Sequence, residues 1–350
     1  FLMIRRPPRS TLDRSSAASD VYKRQALMVK SAFGIVSCLY KILNEGTAMT
    51  IKIKHGINVH KTSTVTLCVL FDGFGFADAL NLTHAYSIKN KTKTLKKLTN
   101  TLNPEINPDD LVEGLVIRFT SFDSISIPGI LYKPNNIQKG DKLPALLYIH
   151  GGPGGQTRLN YTDRIQYWVN QGYVVLAVNN RGSSGYGKTF YKADNLKHGD
   201  VDLKDCIASK KFLINTGYVD RDKIGIMGGS YGGYLVMAAL TFTPNEFAVG
   251  INYFGVTNWL RTLKNIQTWW EASRNALYSE LGNPETDSLA LYNKSPLFFA
   301  HQITKPFIVF QGANDPRVLQ IESDEIVAAA RKNNIPVKYI VFPAKLIFSV

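Results

Sequence analysis

Cysteine is scarce in this chain. Cys38, Cys68 and Cys206 are its three cysteines in 350 residues; they are too few and too irregularly spaced for a disulfide framework, and no Cys/His spacing matches a zinc site. A reducing, cytoplasmic compartment is the mild expectation, with no metal and no cofactor. Long apolar runs are missing too: nothing approaches the roughly 18 residues needed to cross a bilayer, so no membrane partner is expected. Acidic residues are few beside basic ones, 27 against 41, for a formal charge of +14. Such an excess suits nucleic acid only where it forms a stripe or patch. Here it is scattered, with Arg5, Arg6, Arg9, Arg14, Lys23 and Arg24 at the start and Lys89, Lys91, Lys93, Lys96 and Lys97 in one polar segment. The run IKNKTKTLKKL (88–98) has no interleaved aromatics for base stacking and reads as a solvated hairpin or loop surface. Nucleic acid is therefore excluded as a partner.

Residues 1–25 lack helical or strand periodicity and any cleavable signal pattern. They resemble translated sequencing adapter and are set aside as a non-native, disordered segment. The stretch 26–43 is interrupted by Lys30 and Lys41 and has no small-residue cleavage site, which argues against a signal core.

What is present is an apolar content of 45%, ample for a large core. Residues 50–100 show short alternating runs at 50–59, 64–71 and 83–88 between turn residues, predicting consecutive antiparallel strands, too few to close a sheet. The Pro/Asn/Asp-rich stretch TLNPEINPDD (101–110) is the clearest linker. Beyond it the rhythm changes. Strand-like runs at 114–122, 127–134, 144–150, 173–180, 224–228, 249–255, 306–312 and 337–343 alternate with helical segments near 161–171, 201–215, 231–242 and 321–333. This alternation predicts a mostly parallel sheet covered on both faces, with chemistry in the loops at the carboxyl ends of its strands. Cys206, in the amphipathic segment Val201–Leu213, is expected to be a buried helix residue.

Three motifs fall in such loops. GGSYG (228–232) lies between an apolar strand and a helix, the context of a nucleophile elbow, with Ser230 as nucleophile. The strained turn needs glycine around the serine, supplied by Gly228, Gly232 and Gly233; a plain glycine-rich turn is the alternative. LYIHGGPGG (147–155) puts glycines after a buried strand, leaving backbone N–H groups open as an oxyanion hole requires, with the Tyr231 N–H as the other donor. His150 lies in that loop and is expected to be structural. In PFIVFQGANDPRV (306–318), Asp315 follows a buried strand. It can orient a catalytic imidazole or cap the helix starting near Leu319, and its place after the serine in chain order favours the first role.

Taken together, HGGP (150–153), NNRGSSGYG (179–187), GGSYGGY (228–234) and QGANDPRV (311–318) resemble the catalytic domain of the prolyl oligopeptidase family of serine peptidases, in the branch of acylaminoacyl peptidases and dipeptidyl aminopeptidase-like enzymes. The resemblance runs from about Gly56 to Pro343. It implies an α/β-hydrolase fold preceded by a β-propeller, with residues 26–112 as the remnant of the last blade and its linker and 113–350 as the catalytic domain. It also implies Ser230 as nucleophile, Asp315 as acid, Gly152 and Tyr231 as oxyanion donors, and a first specificity pocket lined by Tyr231, Val256, Trp259 and Val318. Arg317 matches a residue that holds a substrate carbonyl, and short peptides are the implied substrates.

The general base is what the resemblance does not deliver. Family members follow the last strand with a VFPDEGHGF-like stretch whose histidine takes the serine's proton; here VFP (341–343) leads into AKLIFSV (344–350), with Ile347 in the histidine's place. His55, His60, His84, His150, His198 and His301 all precede Asp315, and none follows a strand in the required place. An unassisted serine hydroxyl is a weak nucleophile. The expectation is a serine peptidase chain lacking most of the propeller and the C-terminal end, with little turnover. A carboxylesterase on the same fold and a catalytically dead peptide-binding protein are the alternatives.

Overall fold

The computed structural model describes residues 64–65, 86–89, 94–97, 99–100 and 102–343. The expectations for residues 1–25, the strand at 50–59, His55, His60, His84 and Ile347 lie outside the described residues.

Three short strands, β1 (Thr64–Val65), β2 (Tyr86–Lys89) and β3 (Thr94–Lys97), pair antiparallel in sequence order. The lysine-rich run is thus a hairpin, with β3 as its second arm. In the linker, Asn107 Oδ1 accepts the Asp109 N–H at 3.2 Å and starts a 3-10 turn at Pro108–Asp110.

From there the chain builds one sheet. Its elements are β4 (Leu115–Thr120), β5 (Ser126–Tyr132), β6 (Leu143–Ile149), α1 (Asp163–Asn170), β7 (Val174–Val178), α2 (Lys188–Tyr191), α3 (Val201–Asn215), β8 (Val219–Gly229), α4 (Tyr231–Phe242), β9 (Gly250–Tyr253), α5 (Trp259–Lys264), α6 (Arg274–Leu281), α7 (Ser288–Asn293), β10 (Phe307–Gly312), α8 (Gln320–Lys332) and β11 (Val337–Phe342). The strand order is β11-β10-β9-β8-β6-β7-β5-β4. β7, β6, β8, β9, β10 and β11 run parallel, and β5 and β4 close one edge antiparallel. Central strands read as unbroken apolar runs because both faces are covered: all five residues of β7, VVLAV, are buried. The edge strand β4 leaves Leu115 and Val116 exposed.

Topology fixes which helices share a face. The step β6 to β7 moves toward the β4 edge, whereas β7 to β8, β8 to β9 and β10 to β11 move the other way. With right-handed crossovers, α1 lies on one face and α3, α4 and α8 on the other. The direction reverses at β6 and β8, and ligand sites form outside the carboxyl ends at such switch points. This is the α/β-hydrolase fold, and α4 is buried along nearly its whole length, Tyr231 to Thr241.

One expectation needs correction, and one span carries helices that no periodicity announces. Residues 259–302, for which the sequence pattern predicts neither strand nor helix, hold α5, α6, α7 and 3-10 helices at Thr268–Ser273 and Pro296–Gln302. α3 occupies the expected span, but its buried face carries Asp202, Asp205 and Ser209 beside Leu203, Cys206 and Leu213, so it is not simply amphipathic. Cys206 is fully buried in that helix, and burial pushes its thiol well above the ordinary range. Among the described residues no helix is long and apolar enough to cross a membrane.

Candidate active site

Ser230 stands between the last residue of β8 and the first of α4 with φ 56° and ψ −116°, a left-handed conformation that costs a non-glycine residue of order 1–3 kcal/mol and persists only where the surroundings enforce it. They do. Its N–H donates to Tyr253 O at 3.0 Å and its carbonyl accepts the Tyr234 N–H at 3.0 Å. A methyl group on Gly232 would lie 2.2 Å from Ile149 O and 2.8 Å from His150 O; on Gly228 it would meet the Gly232 carbonyl at 2.6 Å. On Gly233 it would meet Gly255 Cα at 2.6 Å. The three glycines singled out in the sequence are therefore the ones the turn requires. Ser230 itself is only half-buried.

The HGGP loop lies against the serine. A methyl on Gly151 would sit 3.4 Å from Ser230 Cβ and 4.0 Å from Oγ, which brings the neighbouring Gly152, at φ 142°, to the same end of the sheet. His150 is buried and turned elsewhere, with Nε2 2.7 Å from Ser183 Oγ and Nδ1 2.8 Å from Gly151 O. Burial lowers its pKa. Ser183 belongs to the NNRGSSGYG loop, which Arg181 locks in place: its guanidinium donates to Asp205 Oδ1 at 2.7 Å and to both oxygens of Asp123 at 2.7 and 2.9 Å.

Asp315 follows β10 and is nearly buried. Its Oδ1 accepts the N–H groups of Arg317 at 2.8 Å and Val318 at 2.9 Å, so it caps its own turn. The cap residue of α8 is Leu319, which removes the helix-cap role considered for Asp315. Its Oδ2 is buried without a hydrogen-bond partner among the described residues. Burial raises its pKa, opposed by the two backbone N–H groups and by the Arg317 charge.

Around this centre, Tyr231, Val256, Trp259 and Val318 are all buried. The Trp259 ring lies 6.1 Å from Tyr231 and 5.0 Å, edge-on, from Tyr234. Arg317 is exposed, its guanidinium 5.6 Å over the Trp269 ring. The loop carrying Val256 and Trp259 is tied to α8 by Glu322, whose Oε2 accepts the Thr257 and Asn258 N–H groups at 2.8 and 2.7 Å. Arg261 Nε donates to the other carboxylate oxygen at 2.8 Å. Sequence reasoning missed Glu322, because an acid in the first turn of a helix has an ordinary explanation in the helix dipole.

A buried polar cluster behind Tyr231 also went unread. The Tyr231 hydroxyl donates to Asp202 Oδ2 and lies 2.6 Å from His198 Nδ1, and Asp194 Oδ2 lies 3.4 Å from the same nitrogen. All three partners are fully buried or nearly so. Burial, followed by the charge of Asp202, pushes Asp194 up to about 8; burial pushes Asp202 up to about 6, against the bonds from Tyr231, Leu203 and Gly199; and burial pushes His198 down to about 3.

Comparison with known proteins follows the same lines. The chain is 38% identical over 266 residues to dipeptidyl aminopeptidase BIII of Pseudoxanthomonas mexicana, an overlap of 74% of this chain and 38% of that one. It is 35% identical over 263 residues to dipeptidyl peptidase family member 6 of Caenorhabditis elegans, covering 69% and 36%. The chain thus spans well under half the length of these relatives. Among solved structures, Pyrococcus horikoshii acylaminoacyl peptidase superposes with TM-score 0.68 at 25% identity over 78% of this chain and 43% of that one. A puromycin-hydrolyzing peptidase of Mycobacterium tuberculosis gives 0.71 at 24% over 77% and 41%, a likeness of fold. Residues 159–345, more than half of the sequence, match the profile of the prolyl oligopeptidase family, and to that family this chain belongs.

Proposed function

We propose that the chain carries the catalytic domain of a serine-type peptidase that cleaves short peptides through an acyl-enzyme on Ser230, with residues 113–350 as that domain and 26–112 as the remnant of a propeller blade and its linker. The observation that carries this reading is the strained, glycine-enforced Ser230 beside the HGGP loop. In the reaction, Ser230 Oγ bonds to the scissile carbonyl carbon while the carbonyl oxygen gathers charge. The N–H groups of Gly152 and Tyr231 would receive that oxygen, and fixed donors aimed at developing charge are the strongest electrostatic contribution such a site makes. Collapse of the tetrahedral intermediate breaks the C–N bond, the amine leaves with a proton, and water releases the acyl group. Tyr231, Val256, Trp259 and Val318 would hold the side chain before the cleaved bond, and Arg317 a substrate carbonyl.

The serine's proton needs an acceptor, and Asp315 would orient an imidazole to take it. Of the described histidines, His150 and His198 are committed to other partners and His301 is exposed. Asp315 Oδ2, which has no hydrogen-bond partner among the described residues, favours a second reading, a site that binds peptides with little turnover.

The test is labelling of Ser230 with a fluorophosphonate, located by peptide mapping, beside turnover of a dipeptide anilide and of a matched ester. Labelling with anilide cleavage supports the peptidase. Ester-only turnover makes the chain a carboxylesterase, and peptide binding without labelling supports the binding protein. Neither binding nor labelling would sink all three.

A further inference from the structure

We propose that Asp202 and His198 are positioning residues that act through the Tyr231 hydroxyl, fixing the ring of the residue after the nucleophile and thereby the direction of its backbone N–H; this rests on the reading of Ser230 as nucleophile. A phenol has a single hydrogen. The Tyr231 hydroxyl gives it to Asp202 Oδ2, so toward His198 Nδ1, 2.6 Å away, it can only accept. His198 is therefore the Nδ1–H tautomer of a neutral imidazole, and the chain of donation runs from His198 through Tyr231 to Asp202. The carboxylate ends that chain well satisfied: its Oδ1 accepts the N–H groups of Gly199 and Leu203 at 2.8 and 2.9 Å. With three donors it can stay ionised in the interior.

The anchor grips one of the two residues on which the oxyanion geometry depends. Tyr231 is the first residue of α4, directly after the strained Ser230, and its ring is enclosed by His198 at 5.4 Å edge-on, Tyr234 at 5.3 Å and Trp259 at 6.1 Å. Packing holds the middle of the side chain, and the two polar groups hold its far end. The backbone N–H at the near end then has no freedom to turn with the ring, which is the preorganisation an oxyanion donor needs. Stability alone does not call for this arrangement, since a phenylalanine among apolar neighbours would avoid burying a carboxylate.

Asp194, His198 and Asp202 bring ligand atoms within 4.8 Å of one another, which raises a cation as an alternative occupant. Two of those three groups already spend the relevant atom on the Tyr231 hydroxyl, so hydrogen bonds account for them without a metal.

The experiment uses the full chain with Tyr231→Phe, Asp202→Asn and the double variant. Tyr231→Phe removes only the hydroxyl and should fold. Each protein is titrated with a peptide boronic acid, whose tetrahedral adduct on Ser230 is seen by boron NMR and needs the oxyanion donors, and with the matching product peptide, which does not. Each single variant should weaken the boronate about tenfold and the product peptide less than twofold, and the double variant should be no worse than Tyr231→Phe. Equal losses for both ligands, or additive losses in the double variant, would show that the cluster is merely structural and overturn the proposal. A wild-type chain that gives no tetrahedral boron signal, or gives it equally as Ser230→Ala, removes the nucleophile reading and the positioning role with it. Added zinc or calcium that raises the unfolding temperature of the wild type but not of Asp194→Asn would make the cluster a metal site and overturn the relay.

Discussion

The two sides of the site are built by different means. On the serine side, geometry is enforced by exclusion: Gly228, Gly232 and Gly233 let backbone meet backbone where any side chain would collide, and Ser230 holds a conformation it would not choose alone. On the acid side, geometry comes from hydrogen bonds: Asp315 is held through one oxygen by its own turn, and Glu322 ties the loop of Thr257 and Asn258 to α8 through a single carboxylate. The serine side should therefore be sensitive to volume and the acid side to charge and donors. Each side can be broken separately.

Gly232→Ala should have the largest effect. Its methyl would lie 2.2 Å from Ile149 O, and neither the strand end nor the start of α4 can give way cheaply. A loss of about 4 kcal/mol or more belongs to this class of backbone collision, read as a lowered urea midpoint or as insoluble protein. A mild effect would mean that the elbow is pliable. Glu322→Ala comes next. It strands the Thr257 and Asn258 N–H groups and leaves Arg261 with Glu325 alone, at 2.7 Å; breaking one partner of a buried charged set costs about 3 kcal/mol. Glu322→Gln should recover part of that, because its amide oxygen can still accept both N–H groups.

Asp194 tests charge on the serine side, where volume otherwise rules. Its folded pKa of about 8 lies above the ordinary 3.8, so the folded chain holds a proton that the unfolded chain has lost. The contribution of this group to stability is then full below about pH 4 and is lost as pH rises toward 8. The groups that surround it electrostatically are Asp202, Asp205 and Glu280, with His198 3.4 Å away and Tyr191 coupled to it. Asp194→Asn should be nearly neutral at pH 4 and stabilising at pH 9 by about 2 kcal/mol. The full shift, at about 1.4 kcal/mol per pKa unit, sets a higher limit, but water follows an ionising carboxylate inward. Equal unfolding midpoints for variant and wild type at pH 9 would show that Asp194 is not held neutral.

The same contrast explains what the sequence could disclose. The strands of the sheet and helices α1, α3, α4 and α8 were legible because each carries its own period or an unbroken apolar run. The elbow was legible because its cause is local, glycines within three residues of the serine. Helices α5 and α7 were not, since at six residues they are too short to display a period, and α6, though as long as α1, buries only Glu280 and Leu281 and so carries no apolar stripe. The polar anchors were hidden for another reason. Asp202 stands 29 residues from Tyr231 and Glu322 stands 65 from Thr257, and nothing in either neighbourhood announces a distant partner. Only the crossover order of the sheet brings them together.

The smallest expected change is the one that separates site from scaffold. Asp315→Asn keeps an oxygen for the Arg317 and Val318 N–H groups and replaces a carboxylate oxygen that has no partner among the described residues. It also removes a buried group whose pKa burial raises, so stability should change by less than about 1 kcal/mol, and toward greater stability at pH 8. An acid that served only the turn would leave labelling of Ser230 as untouched as the urea midpoint. An acid that orients a base would lose labelling while the midpoint stands still. The pair of measurements on one variant therefore shows whether the acid side is a loop brace or half of a proton relay, and a large fall in stability would contradict both.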